Sequence, residues 1–119
     1  MKVAVCSAGD TLDSSLDPRF GRCACFVIVD NETFEATAVP NPGAMSAQGA
    51  GIQAAQNVAQ LGVDAVLTGH VGPNAYRALS AGGVTVYTGV GGTVEQALEE
   101  LKAGKLSPAD SEDVEGHWV

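Results

Sequence analysis

The segment that decides the fold is Lys2-Val3-Ala4-Val5-Cys6-Ser7, near the start of the chain. After Lys2 its residues are small or β-branched and uncharged until Ser7, a pattern typical of a strand that is buried on both faces of a sheet. Such a strand lies in the middle of a sheet, with helices packed on the two faces. We therefore expect an α/β domain built outward from residues 2–7.

Four further segments have the composition of strands. Cys25 to Asp30 and Phe34 to Val39 flank Asn31-Glu32-Thr33, whose length and asparagine suit a turn between antiparallel strands. Asp64 to Thr68 and Val84 to Thr88 are short and rich in valine and threonine. The chain therefore supplies five strands.

Three segments carry apolar residues at helical spacing. The first follows the loop 40–47 and ends at Leu61-Gly62, and the second spans Pro73 to Ala81, with proline at the first helical position. The third begins at Thr93-Val94-Glu95-Gln96, which has the form of a capping box, and ends at Gly104. Each helix follows a strand, as in right-handed crossover units.

This order of elements predicts a mixed five-stranded sheet with strand order 3-2-1-4-5, strand 2 antiparallel, and helices on both faces. The carboxyl ends of strands 1, 3, 4 and 5 then meet the start of strand 2 at one edge, where open α/β sheets bind ligands. We expect residues 1–104 to form a single α/β domain with one ligand site at this edge. The acidic segment 105–119, which lacks periodicity, is expected to be a flexible tail.

The composition excludes several classes of partner. The 119 residues suit one domain, and a net charge of −8 with only six Lys and Arg residues disfavours nucleic acid and anionic membranes. No apolar run is long enough to span a bilayer. The three cysteines are an odd number in a chain with enough apolar residues for a core, which favours free thiols over disulfide bonds. We expect a cytoplasmic protein in which any anion site is local.

The segment Asp17-Pro18-Arg19-Phe20-Gly21-Arg22 places two of the six cations within four residues. Two guanidinium groups donate hydrogen bonds in fixed geometry, and Gly21 lets the backbone approach a ligand, so the segment suits an anion clamp. The alternative is that Asp17 pairs with one arginine to brace a long loop. We favour the clamp because long loops in compact domains usually carry function.

Two cysteines follow this segment directly. If Cys23 and Cys25 both lie in a strand, their side chains point to the same face and could contact one polynuclear metal cluster. The alternative is that they are small core residues, which is the interpretation we give to Cys6 within the first strand.

Other candidates lie in the loops of the same sheet edge. They are residues whose backbone amides or side chains could contact an anion: Asn41, Met45, Gly69, His70, Gly72, Asn74, Gly91 and Gly92. His70 is also a candidate metal ligand or a plain polar loop residue, and Met45 is a soft contact or an apolar lid. No phosphate-loop motif and no nucleophile–base set is present, so we expect neither nucleotide binding nor catalysis.

These motifs resemble the dinitrogenase iron–molybdenum cofactor biosynthesis family. The resemblance covers Met1 to Lys102 and is strongest at Lys2 to Val5, Asp17 to Arg22, Phe26 to Asp30 and Gly69 to Asn74. The family has a ribonuclease-H-like fold and includes nitrogenase cofactor carriers and a molybdenum–copper sulfide protein of sulfate reducers.

The resemblance implies non-catalytic binding or carriage of an anionic metal–sulfur cluster. The implied cluster is a molybdenum–copper sulfide held largely without covalent protein ligands, or alternatively an iron–molybdenum or iron–sulfur cluster. The first of these fits a clamp of backbone amides with Arg19 and Arg22. Cys23 and Cys25 depart from the family pattern, so thiolate coordination stays open. The resemblance also implies protein partners in cofactor assembly or an ATPase-type complex. An interaction or regulatory module, in which metal is incidental, is the alternative function.

Overall fold

The computed structural model describes residues 1–41 and 50–109, and its elements follow the predicted order. They are β1 (Lys2–Ser7), β2 (Cys25–Asp30), β3 (Ala36–Pro40), α1 (Ala50–Gln60), β4 (Ala65–Leu67), α2 (Pro73–Ala81), β5 (Thr85–Tyr87) and α3 (Val94–Lys102). In the described ranges, no helix combines the length and apolarity that crossing a membrane requires.

The strands form one sheet in the order β3-β2-β1-β4-β5, which confirms the predicted topology. β2 is antiparallel to β1 and β3, whereas β1, β4 and β5 are parallel to one another. Val5 in β1 lies opposite Val27 on one side and Leu67 on the other, so β1 is the central strand that its apolar sequence predicts.

The two faces of the sheet carry separate apolar clusters. Ala4 and Cys6 of β1 pack with residues of α1 and α2, and Val3 and Val5 pack with residues of α3. All four side chains are fully buried. Helices therefore cover both faces, as predicted, and the polar loops are left at the strand ends.

The turn between β2 and β3 is longer than predicted, so β3 begins at Ala36 rather than Phe34. The Asp30 carboxylate accepts N–H bonds from Glu32 at 2.8 Å and Thr33 at 3.3 Å, and these bonds lower the pKa of Asp30. Phe34 then adopts a positive φ of 60°, and its N–H bonds to the Asp30 carbonyl at 2.8 Å. The side chain of an aspartate, not the strand composition, sets where the turn ends.

The predicted capping box at the start of α3 is present. The Gln96 N–H donates to the Thr93 hydroxyl at 3.1 Å, and the Thr93 N–H donates to the Gln96 side chain at 2.9 Å. These reciprocal bonds fix the entry of α3 next to the polar edge.

Residues 105–109, the first part of the predicted tail, pack against the outer side of β5. Pro108 forms a bridge with Tyr87, and the Ala109 N–H donates to the Val86 carbonyl at 2.7 Å. The Tyr76 hydroxyl donates to the Ala109 carbonyl at 3.2 Å. The rest of the predicted tail lies outside the described residues.

Candidate functional site

The two arginines of the predicted clamp stand at opposite ends of one tight turn. The Arg22 N–H donates to the Arg19 carbonyl at 3.2 Å, and Gly21 has a φ of 97°, which side-chain-bearing residues rarely adopt. Phe20 is fully buried, with its ring centroid 5.6 Å from that of Phe26. Phe20 therefore anchors the turn in the core, with the exposed Arg19 and the half-buried Arg22 on either side. We call residues 19–22 the arginine turn.

Asp17 attaches the arginine turn to the end of β1. Its N–H donates to the Cys6 carbonyl at 2.9 Å, and its carboxylate accepts the Arg19 N–H at 2.9 Å. This carboxylate thus braces the loop through a backbone amide and helps to fix where Arg19 leaves the main chain.

Gly69 and His70, which follow β4, lie directly against the arginine turn. The His70 N–H donates to the Pro18 carbonyl at 2.7 Å, and the His70 carbonyl accepts the Phe20 N–H at 3.2 Å. A Cβ on Gly69 would lie 2.7 Å from the Pro18 Cα and 2.8 Å from its carbonyl oxygen. The predicted meeting of these two loops is confirmed, and it depends on a glycine at position 69.

The glycine-rich loop before α3 meets the same edge at a different point. The Gly89 N–H donates to the Gly69 carbonyl at 2.8 Å, and the Gly92 carbonyl accepts the Leu16 N–H at 2.9 Å. Gly91 and Gly92 also line a groove of about 600 Å³, together with Gln96, Glu99, Glu100 and Lys105. The two glutamates make this groove less suitable for an anion than the arginine turn.

Arg77, in the middle of α2, bonds back to the amino end of this helix, and the sequence analysis did not single it out. Gly72 precedes the helix without a side-chain cap, and Pro73 is its first residue, so backbone N–H groups stay available there. The exposed Asn74 accepts a bond from the Arg77 guanidinium at 2.7 Å. The i, i+3 spacing of this pair within a predicted helix is the signal that could have identified it.

Asn41 holds the arginine turn from behind. Its side-chain amide donates to the carbonyls of Gly21 at 3.0 Å and Cys23 at 3.1 Å, and its backbone N–H donates to the Ala24 carbonyl at 3.2 Å. The side chain is 5% exposed, and its Oδ1 has no hydrogen-bond partner among residues 1–41 and 50–109. Asn41 therefore positions the turn. Met45, also predicted at this edge, lies outside the described residues.

The prediction that Cys23 and Cys25 share one face of the sheet is wrong. Cys23 precedes β2 and is buried with Cys6 on the side of α1 and α2. Cys25 alternates with Phe26 and so points to the α3 side, where its thiol contacts the Gly9 carbonyl at 2.9 Å. The alternation of side chains between the two faces of a strand does not extend to Cys23, because Cys23 lies in a loop.

Across residues 1–41 and 50–109, no group of three or more His, Cys, Asp or Glu side chains is arranged to hold a metal ion.

Fold and site together define a small α/β protein with paired arginines at the loop edge of its sheet. The chain belongs to the dinitrogenase iron–molybdenum cofactor family, whose model matches residues 1–104. This match confirms the family that the sequence motifs indicated.

Solved structures and a curated relative are similar to this chain over nearly its whole length. The apo form of the orange protein from Desulfovibrio gigas is 42% identical, with a TM-score of 0.91 and coverage of 95% of this chain and 96% of that chain. A NifB-like protein from Thermotoga is 34% identical, with a TM-score of 0.82 and coverage of 95% and 97%. An uncharacterised protein of Methanocaldococcus jannaschii is 29% identical over 110 residues, covering 89% of this chain and 93% of that protein.

Proposed function

We propose that this chain binds and carries an anionic metal–sulfur cluster at the arginine turn. The observation that carries the proposal is a turn with an arginine at each end in a protein of net charge −8. A sulfide-coated cluster presents negative charge and hydrogen-bond acceptors, which guanidinium groups match with several donors each.

The arginine turn is organised before any cluster arrives. Buried Phe20, the positive φ of Gly21 and the bonds from Asn41 fix the turn, and the contact with His70 fixes its place on the sheet edge. Binding to a preformed turn avoids most of the entropy cost of ordering a loop. This favours recognition of a rigid anion by shape and charge.

The remaining contacts of the proposed site come from the loops around the turn. We propose backbone or side-chain contacts from the other predicted edge residues: Met45, Gly69, His70, Gly72, Asn74, Gly91 and Gly92. Asn41 contributes by positioning the turn. Direct metal coordination by His70, Cys23 or Cys25 stays a prediction. The opposite orientations of the two cysteines favour a cluster held by hydrogen bonds over one held jointly by these thiolates.

The resemblance makes a molybdenum–copper sulfide our first expectation for the cluster. An iron–molybdenum cluster is the second, and it is supported by the family's description. We propose a carrier rather than an enzyme, acting in the cytoplasm with protein partners in cofactor assembly. Free Cys6, Cys23 and Cys25 suit a reducing compartment.

An anaerobic titration tests the proposal. Purified apo protein is mixed with tetrathiomolybdate and Cu(I), separated from small molecules, and analysed by visible absorption and metal content. We expect a coloured protein with a fixed molybdenum-to-copper ratio. Arg19→Ala and Arg22→Ala should each weaken uptake about 10- to 100-fold, the range expected for loss of a charge-assisted hydrogen bond of about 1.5–3 kcal/mol.

Lys102→Ala is the matched control for the loss of one positive charge. Lys102 is exposed in the last turn of α3, away from the arginine turn in sequence. Equal weakening in this control and in the arginine variants would show that only net charge matters. Failure of the wild-type protein to retain either this cluster or an iron–molybdenum cluster would overturn the proposal.

A further inference from the structure

The two outer strands of the sheet differ in how their free edges are covered. The outer side of β5 is covered by the chain itself, since Pro108 forms a bridge with Tyr87 and the Ala109 N–H donates to the Val86 carbonyl at 2.7 Å. β3 is the outer strand at the other end, and within residues 1–41 and 50–109 no strand pairs with its outer side. An exposed edge of this kind can pair with another strand.

The register of β2 and β3 determines which backbone groups this edge presents. The Asn41 N–H donates to the Ala24 carbonyl at 3.2 Å, so these two residues form a hydrogen-bonded pair. Bonded and non-bonded pairs alternate along an antiparallel ladder, and residues 36, 38 and 40 of β3 therefore belong to non-bonded pairs. The N–H and carbonyl groups of Ala36 and Ala38 point away from β2, as does the carbonyl of Pro40, which has no N–H.

The part of the chain that forms this edge carries no charge. No Asp, Glu, Lys, Arg or His occurs from Ala36 to Val63, although 17% of the whole chain is charged and its net charge is −8. This stretch includes β3 and α1, and a groove of about 430 Å³ between them is lined by Val39, Pro40, Asn57, Gln60 and Leu61. Edge strands that must stay unpaired are commonly protected by charged residues, whereas the centres of protein interfaces are poor in them. The composition therefore suits an interface.

The charge of the molecule favours a second copy of this chain as the occupant. Two molecules of net charge −8 repel each other over most of their surfaces, so they approach most easily where charge is absent. Antiparallel pairing of two β3 strands about a twofold axis at Ala38 meets this condition, because it brings only uncharged residues together. Each Ala38 N–H would donate to the other copy's Ala38 carbonyl, and each Ala36 N–H to the other copy's Pro40 carbonyl. Every outward N–H of β3 would then have an acceptor.

The side chains of β3 suit the same pairing. Val39 packs against the apolar cluster on the α1 side of the sheet, and Thr37 shares that face because side chains alternate along a strand. Pairing about Ala38 places Thr37 of each copy opposite Val39 of the other, and cross-strand pairs of β-branched residues stabilise a sheet. β3 ends next to Asn41, which holds the arginine turn. Antiparallel pairing would therefore place the two arginine turns at opposite ends of the joined strands, where both remain accessible.

We propose that the outer edge of β3 is a self-association surface, to which a second copy of this chain adds its own β3 in antiparallel orientation. The two five-stranded sheets then form one continuous sheet across the dimer. The proposal does not depend on what the arginine turn binds, because residues 19–22 take no part in the pairing.

Two measurements on the wild-type full-length chain test the proposal. In sedimentation equilibrium from about 10 to 500 µM, we expect the average mass to rise towards twice the mass of one chain, as for a small and reversible interface. Amide hydrogen exchange then identifies the surface. The Ala36 and Ala38 amides should exchange at least about tenfold more slowly where the dimer predominates, whereas the Thr37 and Val39 amides, which bond to β2, should not change.

Variants at the proposed twofold axis give a second test. Ala38→Lys and Ala38→Glu each place like charges directly opposite one another and should weaken self-association at least about tenfold. An equimolar mixture of the two variants should associate again, because opposite charges then face each other. Ser80→Lys is the matched control for an added charge, since Ser80 is exposed on α2, which contacts β5 at the other end of the sheet. It should associate at least as strongly as wild type.

A wild-type chain that stays monomeric at about 500 µM would overturn the proposal and leave the edge to strands of other proteins. So would a dimer in which the Ala36 and Ala38 amides exchange as fast as in the monomer, or one that Ala38→Lys and Ala38→Glu both leave intact. The exchange measurement needs no variant and decides the question even if Ala38→Lys does not fold. Since no metal sulfide is added, these results are independent of cluster uptake.

Discussion

Gly69→Ala tests whether the close approach of Gly69 to Pro18 holds the site together. The new Cβ would lie 2.7 Å from the Pro18 Cα and 2.8 Å from its carbonyl oxygen, and neither backbone atom can move aside like a flexible side chain. The loop must therefore shift away from β4. This shift stretches the His70–Pro18 bond of 2.7 Å and the Phe20–His70 bond of 3.2 Å.

The expected loss of stability follows from these contacts. Two weakened backbone hydrogen bonds cost about 1 kcal/mol each, and overpacking typically costs about 1–3 kcal/mol. Because the shift that relieves the clash is the one that stretches the bonds, we expect a total of about 2–4 kcal/mol. A domain of this size would remain folded, with its melting temperature lowered by about 10 °C.

Urea unfolding followed by far-ultraviolet circular dichroism measures this change, and cluster uptake by the folded variant measures the effect on the site. Gly91→Ala is the control, because a Cβ at Gly91 meets nothing within 4 Å, and its free energy of unfolding should stay within about 0.5 kcal/mol of wild type. If Gly69→Ala unfolds at the same urea concentration as Gly91→Ala, the reasoning about this contact is refuted.

Three further predictions concern other parts of the fold. Thr93→Ala should lower the free energy of unfolding by about 1 kcal/mol in urea, because it removes half of the capping box of α3. Asp30 has a lowered pKa in the folded state, so its stabilising effect is present above the unfolded pKa of about 3.9 and is lost below it. The stability difference between wild type and Asp30→Asn should therefore shrink as the pH falls from about 5 to 3. Burial raises the pKa of Cys25, so iodoacetamide at pH 7.5 should label it at least about tenfold more slowly in native than in urea-unfolded protein, as measured by mass spectrometry.

Each of these predictions has an outcome that contradicts it. Thr93→Ser keeps the hydroxyl and should be close to wild type, so an equal loss in both variants would argue against the cap. A difference between wild type and Asp30→Asn that stays constant with pH would show that the turn does not depend on the carboxylate charge. Equal labelling of Cys25 in native and unfolded protein would mean that its thiol is not shielded.

Local signals predicted most of the scaffold. The bounds of β1, β2 and α2 agree with the sequence analysis, because an uninterrupted apolar run or a proline at the first helical position marks each of them. The meeting of the arginine turn with His70 was also predictable, since strand order alone places their loops at the same edge.

Features that depend on tertiary contacts were not predictable. The orientation of Cys23 is set by Asn41 and by the turn before it, both remote from any strand period. Glu99 and Glu100 of α3 line the groove beside Gly91, and α3 is positioned by its packing on one face of the sheet. In both cases the side chain's surroundings, not its identity, determine what it can bind.

The order in which the chain is synthesised bears on when the arginine turn can take its final form. The arginine turn leaves the ribosome early, but the segment that supports it, at His70, and the glycine that accepts the Leu16 N–H, Gly92, follow much later. At about 5–20 residues per second, several seconds separate the arginines from these partners. A nascent chain therefore carries the positive charges before it can hold them in place. Under the proposed function, uptake of a cluster at the arginine turn should therefore wait until α3 has docked.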